Sequence, residues 1–165
     1  QHLLDDGAGK VAIIDIDYHH GNGTQDIFYA RSDVLFVSIH GDPLTEYPFY
    51  LGHADETGTG GGEGYNMNLP LAAGAGAAQW FAALETACIR IAGYAPDALV
   101  VSLGADTWAG DPASKVALQS ADFLRIGERL GYLGVPAVFV LEGGSANGEL
   151  GVNVVNVLEG FETAA

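Results

Sequence analysis

Cysteine occurs once in the 165 residues, at Cys88, so no disulfide can form within the chain. That usage suits a reducing compartment, and a cytoplasmic location is expected. Basic residues are scarce as well. Lys and Arg total six against 21 Asp and Glu, a formal net charge of −15 with His neutral. Such a field disfavours direct contact with DNA, RNA or anionic lipid, and favours cationic small molecules or lysine-bearing peptides. Acidity also serves plain solubility, and alone it names no substrate. Long apolar runs are missing too. None approaches the roughly 18 residues of a spanning helix, and nothing at the start resembles a signal peptide.

The sequence is 48% hydrophobic, enough for one core. It opens Gln1-His2-Leu3-Leu4-Asp5-Asp6-Gly7, which reads as the last turn of a helix stopped by glycine. A chain that begins inside an element is expected to be part of a larger domain. Four short apolar runs read as buried strands: Val11 to Ile14, Val34 to Val37, Ala98 to Leu103 and Ala137 to Leu141. Helical spacing marks Ala77 to Ala92, ending at Gly93, then Ala121 to Leu133 with Ser120 as cap, and Leu150 to Phe161. Strands alternating with helices predict an α/β domain with a mainly parallel sheet. An apolar edge strand, Val11 to Ile14 or its neighbour, is expected to lie exposed and to promote aggregation. The stretch from Gly41 to Gly64 reads as one long irregular loop, and loops of that length are more often functional than idle.

Each strand is followed by polar residues. Asp15-Ile16-Asp17-Tyr18-His19-His20-Gly21-Asn22 follows the first, Ser38-Ile39-His40 the second, Gly104-Ala105-Asp106-Thr107 the third, and Glu142-Gly143-Gly144-Ser145 the fourth. Carboxyl ends of parallel strands are where such sheets place ligands, so the four segments are expected to meet at one crevice. Asp15, Asp17 and His19 share a face while the chain stays extended. Carboxylate and imidazole ligands suit zinc or another divalent transition metal, and Asp17, His19 and Asp106 would leave a position open for water and substrate. A competing reading makes Asp15 and Asp17 caps of the following turn.

These segments, with Gly62-Glu63-Gly64-Tyr65-Asn66-Met67-Asn68-Leu69-Pro70-Leu71 and Asp106-Thr107-Trp108-Ala109-Gly110-Asp111-Pro112, resemble the histone deacetylase superfamily. The run from Ser38 to Glu56 looks most like its bacterial acetylpolyamine amidohydrolase branch. The resemblance spans nearly the whole chain but corresponds to the later half of the family's domain. It implies an arginase/deacetylase-like three-layer α/β sandwich, present as a single partial domain over residues 1–165 that lacks the N-terminal half.

It also implies zinc-dependent removal of acetyl groups from acetylpolyamines or acetyl-lysine by metal-activated water. Asp17, His19 and Asp106 match the family's zinc ligands. Asp15, Asp17, His19, Ser38 and Ile39 match contributors to a structural potassium site, largely through backbone oxygens, and Asp15 matches a residue that orients a histidine. Asn22, beside His20, stands where some relatives have an aspartate supporting a histidine. Phe49 or Tyr50 matches an aromatic wall of the substrate tunnel, beside Gly143 and Gly144; Tyr47, Phe49 and Tyr50 equally read as ordinary loop packing. Oligomerisation is compatible with all of this.

Two departures stand against activity. The family's tandem-histidine general base lies upstream of the Asp-Xaa-Asp-Xaa-His strand, and the stretch before Asp15 does not supply it. Ser145 takes the place of the oxyanion tyrosine and is too short to reach the same point, a loss that typically costs about 100 to 1,000-fold in turnover. Two alternatives follow. One is a catalytically silent metal-binding fragment or pseudoenzyme. The other is an arginase-like ureohydrolase with two manganese ions, although the motifs bring together ligands for one. His40 reads as a structural histidine, His2 and His53 as exposed, and Cys88 as core. The glycines at 58, 60, 61, 62 and 64 match no phosphate-binding pattern.

Overall fold

The structure, a computed structural model, describes residues 1–144 and 148–165. The four expected strands form as β1 (Val11–Asp15), β2 (Val34–Gly41), β4 (Ala98–Leu103) and β5 (Ala137–Leu141), joined by an additional β3 (Asn66–Leu71). All pairs are parallel, in the order β3-β2-β1-β4-β5. The helices are α1 (His2–Asp5), α2 (Asn22–Phe28), α3 (Ala77–Tyr94), α4 (Ser120–Gly131) and α5 (Gly148–Ala164).

Alternation along the strands sorts side chains into two cores. Ala12, Ile14, Leu35, Val37, Leu99 and Val101 pack with Trp80 and Leu84 of α3, Phe123 and Ile126 of α4 and Val157 of α5. On the other face Ile13, Val34 and Phe36 pack with Leu4 of α1, Phe28 of α2 and Val100. The result is helix, sheet, helix: the expected three-layer α/β arrangement.

Several boundaries differ from the sequence reading, each for a physical reason. β3 escapes an apolar-run search because Asn66 and Asn68 alternate with Met67 and Leu69, and because it contains Pro70. An edge strand tolerates that proline. β2 continues four residues past Val37, through Ser38 and His40, because those polar side chains are buried and hydrogen-bonded to each other. Ser120 is not the cap of α4. Gln119 holds that position, its backbone N–H donating to Asp122 at 2.9 Å, while the Ser120 hydroxyl donates to Glu149. Helix α3 runs through Gly93 and ends at Ala95 in a left-handed conformation. The long irregular stretch is interrupted only by one 3-10 turn, Gly60–Gly62.

The exposed apolar strand is not β1, which lies at the centre of the sheet with a partner on each side. It is β5, where Val138 is 48%, Val140 42% and Leu141 58% exposed. Strand order is a tertiary property that local composition does not encode.

Helices α4 and α5 approach through glycine. A Cβ on Gly127 would lie 2.0 Å from the Val157 carbonyl oxygen, and one on Gly160 would lie 2.1 Å from that of Leu124. Gly151 on α5 has open space instead. Gly127→Ala is therefore expected to destabilise the chain by about 1–3 kcal/mol through overpacking, and Gly151→Ala to stabilise it by up to about 1 kcal/mol through helix propensity. Urea denaturation of both variants checks the contrast, and shifts of the same sign would refute the close-packing explanation.

Candidate metal centre

The chain winds from β1 outward through β2 to β3, then returns by α3 to β4 on the other side of β1. The strand order thus reverses between β1 and β4, and a crevice opens at their carboxyl ends. Asp17 and His19 follow β1, and Asp106 follows β4. The topology brings together residues 89 positions apart.

Local hydrogen bonds aim each group. The Asp17 backbone N–H donates to Asp15 Oδ1 at 3.0 Å, and that of His19 donates to Asp17 Oδ1 at 2.8 Å. Both carboxylates therefore do cap the turn, as the competing reading expects. Gly143 N–H donates to the second Asp17 oxygen at 3.0 Å, and Tyr18 N–H to Asp106 Oδ1 at 2.8 Å. Glycine is required close by. A Cβ at Gly104 would fall 2.5 Å from Asp17 Cα, and one at Gly143 would fall 2.3 Å from Asp17 Oδ2.

His19 Nδ1 lies 3.4 Å from Asp17 Oδ1 and 3.3 Å from Asp106 Oδ2. One ligand atom from each of the three residues lies within 4.8 Å of the others, the one such group among the described residues. Ligands at about 2.0–2.1 Å around a tetrahedral ion stand about 3.4 Å apart, so the spacing to His19 fits a zinc-sized guest. The donor set also fits, with one borderline nitrogen and two anionic oxygens.

The electrostatics reflect crowding. Hydrogen bonds to Asp106 and then Asp17 push His19 up to about 10. Burial, and next to it the charge of Asp17, raises Asp106 against the opposing bond from His19. Burial also raises Asp17, but the hydrogen bonds from His19 outweigh it and the carboxyl is lowered overall. His19 Nδ1 thus lies within reach of both carboxylates, which is the cause of its upward shift.

The other sequence-derived residues fall around this centre. Asp15 is buried and pushed well up, chiefly by desolvation; it stands behind the three-residue group rather than in it. A cleft of about 290 Å³ is lined by Asp15, Asp17, His19, His20, Gly21, Asn22, Gly23, Thr24, Glu142 and Gly143. Ser38 pairs in register with Asp15, and its hydroxyl meets His40 Nδ1 at 2.8 Å. Ile39 is fully buried. Asn22 reaches the Tyr50 hydroxyl at 3.4 Å. Phe49 and Tyr50 are exposed at 60% and 64%, and Phe49 has a left-handed φ of 69°, a strained conformation for an aromatic residue. The aromatic ring against His19 from this loop is that of Tyr47, 6.5 Å between centroids, with Phe49 packed edge-on behind it. Gly144 has a φ of 139° and faces Leu150. Ser145 lies outside the described residues.

His40 is a buried structural histidine. Its Nε2–H donates to the Gly52 carbonyl at 2.9 Å, and burial depresses its pKa to about 4. Cys88 is buried in the core and its thiol is pushed up to about 11, mainly by desolvation. His2 is exposed, whereas His53 is half-buried because its loop folds over β3 and its carbonyl accepts from Asn68. Sequence reasoning missed the buried side chains Gln25, Asn66 and Asn68, and Glu56 beside them. The alternation Asn66-Met67-Asn68 was the available signal, since it puts two amides on one strand face.

A parallel α/β sheet carrying a carboxylate, imidazole, carboxylate set at its switch point is an arrangement that could hold a divalent metal ion. The comparison with known proteins narrows this. The histone deacetylase domain matches residues 1–161, and the chain belongs to that family. It is 63% identical over 165 residues to acetylpolyamine amidohydrolase 1 of Pseudomonas aeruginosa, covering 100% of this chain and 48% of that protein. To acetylpolyamine amidohydrolase of Mycoplana ramosa it is 50% identical over 144 residues, covering 87% and 42%. The crystal structure of acetylpolyamine aminohydrolase from Burkholderia pseudomallei superposes with a TM-score of 0.96 at 45% identity, covering 99% of this chain and 48% of that one. The chain spans about half the length of the curated relatives it matches.

Asp17→Asn and Asp106→Asn are each expected to weaken zinc binding by more than the roughly 10–100-fold that loss of an outer hydrogen-bond partner costs. Glu142→Gln, at the cleft but outside the three-residue group, is expected to change it by less than about threefold. Competition against a chromogenic chelator measures all three. Equal zinc affinity in the Asp106→Asn variant would remove the centre.

Proposed function

We propose that this chain carries the zinc centre of a deacetylase acting on N-acetylated amines, with acetylpolyamines as the favoured substrates and acetyl-lysine as the close alternative. The observation that carries the reading is the convergence of Asp17, His19 and Asp106 in a chain so similar to an acetylpolyamine amidohydrolase. When bound, zinc supplies Lewis acidity toward an amide carbonyl and lowers the pKa of its water.

The chain's own residues do the positioning. Backbone N–H groups of His19, Tyr18 and Gly143 hold the two ligand carboxylates. Tyr47 beside His19, with Phe49 and Tyr50 farther out on the same loop, offers aromatic walls for a slim alkyl chain bearing the acetamide. The surplus of carboxylates raises the local concentration of a cationic amine. Asp15 and Ser38, paired across β1 and β2, offer oxygens suited to a hard cation, which supports the potassium site assigned to Asp15, Asp17, His19, Ser38 and Ile39. His20 and Asn22 support the turn that holds His19.

Residues 1–165 are read as one part of a deacetylase domain. The apolar face that β5 leaves open fits burial against further polypeptide. Among the described residues no helix is long and apolar enough to cross a membrane, and the single buried cysteine favours the cytoplasm.

The half-length match favours a second reading, in which the chain holds the metal but does not turn over without further residues. Zinc-loaded protein assayed on acetylputrescine and on a fluorogenic acetyl-lysine peptide separates the two. Hydroxamate-sensitive release of acetate, faster on the polyamine, is the expected result. Tight zinc binding with no acetate release supports the silent reading, and two transition-metal ions per chain would replace both with an arginase-like centre.

A further inference from the structure

Behind the candidate metal centre lies a second polar cluster, built on side chains other than the three candidate ligands. Its hub is Gln25 of α2, only 2% exposed. Gln25 Oε1 accepts from His20 Nε2 at 2.9 Å, from Asn66 Nδ2 at 3.0 Å and from Asn68 Nδ2 at 2.8 Å. Its Nε2 donates to Glu56 Oε2 at 2.6 Å. The same Glu56 oxygen accepts the Gly52 N–H at 2.9 Å and Asn68 Nδ2 at 3.3 Å. Gly52 in turn gives its carbonyl to His40 and packs against two imidazoles. A Cβ there would fall 2.9 Å from both His20 Cγ and His40 Nε2.

One buried amide therefore ties together four parts of the chain. They are the turn that carries His19, helix α2, edge strand β3, and the loop that carries Tyr47. Its order rests on the hydrogen bonds centred on Gln25 and Glu56, while His20 Nδ1, Asn66 Oδ1 and Asn68 Oδ1 are buried without a partner among the described residues. A buried donor or acceptor left unmatched is more costly than a bond is favourable, which makes such a network a rigid spacer between the segments it joins.

The geometry points to Gln25 as a positioning residue for the metal centre. By fixing the ring of His20, it fixes the peptide that joins His20 to the ligand His19. Through Glu56 and Gly52 it sets the distance from that ligand to the Tyr47 loop. The inference rests on reading Asp17, His19 and Asp106 as the zinc ligands, and it is independent of whether the chain turns over.

The test compares zinc affinity, by chelator competition, with thermal stability of the zinc-free chain in Gln25→Met, Gln25→Glu, Glu56→Gln and the Gln25→Glu/Glu56→Gln pair. Gln25→Met keeps the length and loses every hydrogen bond. It is expected to bind zinc about tenfold more weakly per folded molecule and to lose the Nε2–H signal of His20 in ring-nitrogen NMR. Gln25→Glu puts two carboxylates together and is expected to weaken zinc similarly. The pair lets residue 56 donate and residue 25 accept, but the atom that accepts from Gly52 N–H and Asn68 then becomes a donor, so it is expected to recover the affinity only in part.

A lower melting temperature with zinc affinity within twofold of the parent would make Gln25 a scaffold residue only and overturn the proposal. If Gln25→Met does not fold, Gln25→Glu decides: zinc binding about tenfold weaker per folded molecule upholds the inference, and affinity within twofold of the parent overturns it. Failure of the zinc assignment itself appears differently, as weak binding in the parent.

Discussion

The arrangement depends on holding two carboxylates and an imidazole within a few ångströms of one another in a mostly buried place. Left alone, Asp17 and Asp106 would repel, and desolvation would drive a proton onto one of them. The chain meets this with backbone N–H donors from His19, Gly143 and Tyr18 and with the charge that His19 takes up between them. Those fixed donors orient the three groups toward one point. Glycines at 104 and 143 are the steric counterpart, since any side chain there would occupy the space of the Asp17 side chain.

The sheet supplies the rest. Three of its five strands, β1, β2 and β4, are apolar and largely buried, and their polar residues gather toward the carboxyl ends. Because β1 and β4 are neighbours, their ends deliver Asp17 and Asp106 to the same point. On the other side of β1, β2 and β3 themselves carry buried polar groups instead: Ser38, His40, Asn66 and Asn68. One side of β1 thus carries a charged group, suited to a cation, and the other an amide-rich cluster joined through Gln25. That division explains why one cluster reads as a ligand set and the other as a support.

Much of this was legible in residue order. The four apolar runs, the polar segments after them and the helical spacing of Trp80, Leu84, Cys88 and Ile91 all correspond to observed elements. Less legible was β3, whose buried face is polar because Gln25 and Glu56 satisfy it from elsewhere in the chain. The cap of α4 was misplaced by one residue because Asp122 reaches back to the Gln119 N–H, a contact that a preference for serine does not reveal. In the aromatic loop, composition offered Tyr47, Phe49 and Tyr50 alike, and only the fold turned Tyr47 toward His19.

By itself the sequence determined the class of fold, the family and the three residues offered to a metal, because periodicity, apolar runs and ligand types are properties of short segments. Tertiary structure decided which strand became the edge, which aromatic faces the centre, and that Gln25 joins four segments. Those are relations between residues far apart in the chain, fixed by strand order and by side-chain hydrogen bonds between segments. Neither constraint can be read from any one stretch of chain.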